Sequence, residues 1–86
     1  MATPTRFEDG ARLADSLLEG RTILLNLEKA NKVDARRLLD FMSGAAYALQ
    51  GYVRRVSGSI YLVVPNGEEV TDSDAMNQME SSGVFF

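Results

Sequence analysis

The segment Phe41-Met42-Ser43-Gly44-Ala45-Ala46-Tyr47-Ala48-Leu49 constrains the fold of this chain more than any other. It carries no charge, and small or apolar side chains fall on nearly every side of a helix drawn through it. A helix resting on a single layer needs only one apolar stripe. The pattern therefore predicts a helix with two neighbours, a sheet behind it and another helix in front. The helix begins at about Lys32, where Asn31 supplies the N-cap and Asp34 an acid in the first turn. It runs to Gln50, with Gly51 as its stop. In its first half Val33 and Leu38 are read on one side with Arg36 and Arg37 beside them, and Leu39 and Met42 extend the stripe.

Two residues within this helix each admit two readings. Gly44 costs about 0.8–1.0 kcal/mol relative to alanine in a helix interior, a loss that something should offset. With Ala45 and Ala48 it makes a small face, suited either to close helix–sheet packing within one chain or to helix–helix association between two chains. The apolar coverage all round favours association, with Phe41, Gly44, Ala45, Ala48 and Leu49 as the dimer interface. Asp40 is either the i,i+4 partner of Arg36 or a buried acceptor fixing the helix; the ion pair is favoured.

Elsewhere the apolar spacing alternates between helix and strand. Thr5-Arg6-Phe7-Glu8 has capping-box spacing. Phe7, Ala11, Ala14, Leu17 and Leu18 continue as a helical stripe that Gly20 ends in a left-handed conformation. Thr22–Leu27 is an unbroken run that reads as a strand buried on both faces, central in a sheet. Tyr52–Val56 and Ser59–Val64 read as antiparallel strands joined at Ser57-Gly58. Pro65 and Asn66-Gly67 close the second of them. Thr71 and Asp74 open a short helix over 72–80, which Gly83 ends before the apolar Val84-Phe85-Phe86. This order gives an α/β fold: a single domain over 1–86, a two-layer sandwich of two main helices on a mixed β-sheet, with a short C-terminal helix.

Composition narrows function. Among 86 residues there is no cysteine and no histidine, so thiol nucleophiles, thiolate zinc sites and the commonest general base are missing together. Glu68, Glu69, Asp72 and Asp74 lack the spacing of a calcium loop. The reading is a protein that is not an enzyme and uses no cofactor and no metal. A net charge of −3 argues against nucleic acid as partner. No apolar run approaches the ~18 residues that cross a bilayer, and the first residues lack a secretory h-region, so a cytoplasmic location is expected. Within the hairpin, alternation places Val53 and Arg55 on one face and Tyr52, Arg54 and Val56 on the other. Arg54-Arg55, with Tyr52 beside them and Tyr61 across the hairpin, suit an acidic–apolar peptide; the competing reading is a solvated strand edge protected by charge.

The stretch Arg37-Leu38-Leu39-Asp40-Phe41-Met42-Ser43-Gly44-Ala45-Ala46-Tyr47-Ala48-Leu49-Gln50-Gly51 resembles the signature helix of the bacterial cell-division SepF family. Shared with it are a basic residue, two aliphatics, Asp-Phe, a small-residue step with glycine and a closing glycine. Pro4–Asp9, Ile23–Leu27, Arg55-Val56, Ile60–Leu62 and Pro65 resemble the flanking segments, so the likeness covers residues 4–70. It implies a non-enzymatic adaptor at the division site that binds the C-terminal tail of FtsZ, works as a homodimer and assembles further. It also implies tail contacts from Arg55 and Tyr61, with Val53 and Val63 on the same face. Membrane attachment would come from an N-terminal helix and linker that this chain lacks, the strand before Pro4 is cut to a few residues, and Gly10 stands where the family usually has alanine. Two other readings remain: a small RNA-binding α/β module and a ligand-sensing regulatory domain.

Overall fold

The computed structural model describes residues 1–67; the expected helix over 72–80 and the apolar tail at 84–86 lie outside them. Helix α1 spans Gly10–Leu18 after a 3-10 turn at Phe7–Asp9, and helix α2 spans Lys32–Ala48. Strands β1 (Ile23–Asn26), β2 (Tyr52–Ser57) and β3 (Ile60–Val64) form a sheet in the order β1-β3-β2, antiparallel throughout. A single parallel bridge, Ala2 to Leu25, lies on the other side of β1. The described residues thus form the expected two-layer α/β sandwich, but its three strands are antiparallel where a mixed sheet was expected, since β1 pairs with the returning strand of the hairpin. The central strand, however, is β3. Strand β1 is buried on both faces, yet among the described residues it pairs, beyond β3, only with Ala2.

Alternation along the strands sorts their side chains into two clusters. Ile23, Leu25 and Val63 join Leu13 and Leu17 of α1 and Leu38, Met42 and Ala46 of α2 in the main core. Leu24, Leu62 and Val64 form a second cluster on the opposite face, with Tyr52, Val56 and Ile60 at its margin. Burying each large aliphatic in such a cluster contributes about 1.5–3 kcal/mol, so the sheet is held from both sides. Val33 does not share a side with Leu38 as expected. It is 68% exposed while Leu38 is fully buried, because five residues advance a helix well past a full turn.

Local chemistry fixes the ends of the helices. The carboxylate that reaches back at the first turn belongs to Asp9 and not to Glu8: Thr5 N and Arg6 N both donate to Asp9 Oδ2 at 3.1 Å. The intervening 3-10 turn moves the cap by one residue. Asn31 caps α2 as expected, accepting from Asp34 N at 2.8 Å. Both helices close with a Schellman pair of hydrogen bonds. In α1, Gly20 N donates to Leu17 O and Arg21 N to Ser16 O, with Gly20 at φ 85°. In α2, Gln50 N donates to Tyr47 O and Gly51 N to Ala46 O.

The left-handed residue after α2 is Gln50, at φ 64°. Gly51 is glycine for a different reason than its expected role as the stop: a Cβ there would collide with the Val64 carbonyl. The hairpin loop is likewise one residue later than expected, at Gly58-Ser59, with a bulge between Arg55 and Ser57 absorbing the shift.

Gln50→Gly removes left-handed strain worth up to ~1 kcal/mol and should raise the melting temperature by about 4–8 °C, whereas Gly51→Ala should lower stability by at least ~1–3 kcal/mol through overpacking. Backbone donation from Arg6 and then Thr5 holds the Asp9 carboxyl below its ordinary range. The stability Asp9 contributes is therefore present above about pH 4 and lost as pH falls through the lowered value. In thermal melts, Asp9→Asn should be less stable than wild type at neutral pH, and the gap should close in acid.

Candidate functional site

Helix α2 presents three distinct faces. Leu38, Met42 and Ala46 are turned into the core. Ala35, Arg36 and Leu39 flank them and, with Leu27, Ser59 and Tyr61, line a groove of about 240 Å³ between the helix and the end of the sheet. The remaining face looks outward.

The groove holds one of the expected tail contacts. Tyr61 is half-buried against the core and lines it. Across the strands Tyr61 has Leu25 on one side and Arg55 on the other, so Arg55 flanks the same row. Arg55 is exposed, and its Nε donates to Gly58 O at 2.9 Å, which braces the hairpin turn. Val53 is half-buried against the core. Val63 is 0% exposed, between Ile23 and Val53 beneath the helices. It lies on the expected face, but that face is roofed there, so Val63 supports the site from below and offers no surface of its own. Arg54 faces the other way, paired with Leu62, and the two arginines do not form one basic surface.

Arg36, Leu39, Ala35, Leu27 and Ser59 did not figure among the expected contacts. Their signal was helical phase: positions 35, 36 and 39 share a flank one step round from the core stripe. A second cleft, of about 300 Å³, is lined by Ala2, Thr3, Pro4, Thr5, Asp9, Arg12 and Leu13. Its acid and base face one another at 3.8 Å, and Asp9 already accepts from two backbone donors. Its carboxylate is therefore already engaged within the chain.

The outward face of α2 carries Val33, Arg37, Phe41, Gly44, Tyr47 and Ala48, with Tyr47 82% and Phe41 38% exposed. Of the five expected interface residues, Phe41, Gly44 and Ala48 lie here. Ala45 and Leu49 are half-buried and pack against the core instead. Phe41 meets Phe7 edge-on at 5.8 Å between ring centroids, and the Arg37 guanidinium lies 4.0 Å above the Phe7 ring. Among the described residues a Cβ on Gly44 would have nothing within 4 Å, which removes close packing on the sheet as its explanation. Asp40 takes the favoured role, an exposed ion pair with Arg36 at 3.2 Å.

No helix among the described residues is long and apolar enough to cross a membrane. Residues 1–70 match the family model described as cell division protein SepF. Among similar proteins, cell division protein SepF of Agathobacter rectalis is 38% identical over 91% of this chain and 43% of its own length. The Ruminiclostridium cellulolyticum protein of the same name is 34% identical over 99% of the chain and 54% of its length. That of Staphylococcus haemolyticus is 41% identical over 91% and 41%. The chain thus spans about half the length of these relatives. The match takes in α2 and the hairpin bearing Arg55 and Tyr61, and the chain belongs to the cell division protein SepF family.

Proposed function

We propose that this chain acts in bacterial cell division as a non-enzymatic adaptor core. It binds the C-terminal tail of FtsZ in the groove beside Tyr61 and pairs with a second copy through the outward face of α2. At the division site, on the cytoplasmic side, it links FtsZ filaments to the membrane and septum. The observation that carries this reading is the division of α2 into a groove flank and a separate apolar outer face. One helix can then serve a peptide and a second subunit without conflict.

Physical reasons support each half. The groove joins apolar side chains to Arg36, with Arg55 next to Tyr61, a combination that fits a segment that is both apolar and acidic. The outer face exposes large apolar groups around a glycine whose small size serves no contact among the described residues. A two-fold pair would present two grooves, and filaments displaying many tails would gain avidity from contacts that are individually weak.

Calorimetric titration with an FtsZ C-terminal peptide tests the first half. Binding is expected for the wild type and should be lost in the Arg55→Glu/Tyr61→Ala double variant, provided its melting curve shows that it is folded; retained affinity would contradict the assignment. For the second half, Gly44→Ala should stabilise the dissociated chain by about 0.8–1.0 kcal/mol while weakening self-association in sedimentation. A variant that is more stable and equally associated would remove α2 from the interface.

A further inference from the structure

The ion pair at the groove rim uses Arg36 incompletely. Among the described residues its guanidinium makes one contact, Nε to Asp40 Oδ2 at 3.2 Å. A guanidinium offers five donors in a planar fork, and a carboxylate meeting that fork with two parallel bonds is held more strongly than one meeting a single nitrogen. Both side chains are largely exposed, Arg36 at 78% and Asp40 at 66%, so their mutual attraction is weak and readily exchanged. Arg36 also lines the groove with Leu27, Leu39 and Tyr61. At about 240 Å³ the groove lies below the usual range for a small-molecule site, a size suited to a peptide side chain or two.

We infer that Arg36 is the anion contact of this groove and that Asp40 restrains it, so that the groove selects acidic–apolar peptides whose carboxylate can take the guanidinium from Asp40. This rests on reading the groove as a peptide site, and not on which peptide fills it. Leu27, Leu39 and Tyr61 receive an apolar side chain while the neighbouring carboxylate engages the Arg36 fork. Asp40 is a positioning residue: it holds Arg36 at the rim and screens the groove against weakly charged segments.

The test is a titration of the wild type, Asp40→Asn, Arg36→Gln and the double variant with three peptides. These are the FtsZ C-terminal tail, the same tail with its Asp and Glu replaced by Asn and Gln, and a hexapeptide of alternating Asp and Leu. Asp40→Asn should tighten binding of both acidic peptides about two- to five-fold, the range an exposed ion pair allows, with no gain for the neutralised tail. Arg36→Gln should weaken binding about ten-fold, and adding Asp40→Asn to it should bring no recovery. If Asp40→Asn tightens binding equally without Arg36, Asp40 acts only as a general negative charge and the inference fails. Unchanged affinities in every variant, with the wild type still binding the tail, would overturn this inference and leave the proposed function standing. Binding of the hexapeptide with the expected variant pattern, but none of the FtsZ tail, would overturn the proposed partner and support the inference.

Discussion

The rest of the molecule depends on the seating of Leu38, Met42 and Ala46 against the inner face of the sheet. These residues carry α2 into the same cluster as Ile23, Leu25 and Val63, and Leu13 and Leu17 bring α1 to it. Removing a buried side chain of the size of Met42 or Leu38 would cost roughly 2–5 kcal/mol, a large part of a small domain's stability. Because that seam fixes the rotation of α2, it also decides which residues face the groove and which face outward. The surfaces available for recognition are consequences of the core.

Phe7 extends this arrangement to the surface. Its ring meets Phe41 edge-on and carries the Arg37 guanidinium above it, so the turn before α1 is tied to the outward face of α2. Gly10 fits beneath the same ring system, where an added Cβ would sit 3.1 Å from Phe41 Cδ2. Gly10 is therefore lodged at a tight contact. A change at that position would be felt first by Phe41.

Much of the fold was legible because hydrophobic period and punctuation agreed. Asn31 capped the helix it was expected to cap, Gly20 adopted the left-handed conformation that ends α1, and β2 and β3 paired as a hairpin. What was misread involved geometry that sequence encodes only through contacts between distant residues. Gly51 looked like a conformational stop, whereas the Val64 carbonyl opposite it excludes a side chain. The unbroken apolar run of β1 signalled burial on both faces correctly but not its place in the sheet order. At the site, the hairpin pattern offered Arg54-Arg55 with Tyr52 and Tyr61, and the family resemblance singled out Arg55 and Tyr61. Arg36 and Leu39 were missed, since only the position of Tyr61 relative to α2 makes them neighbours.

The closure of α2 restricts how the chain can vary in length. The Asn31 cap holds one end and the Gly51 approach to Val64 holds the other, so the helix can neither slide nor turn between them. Inserting or deleting one residue inside it would rotate everything beyond by about 100°, exchanging Met42 with an outward-facing neighbour. Point substitutions can tune this helix, whereas a change in its length would break the core seam, and the loops that flank it are where length can vary at least cost.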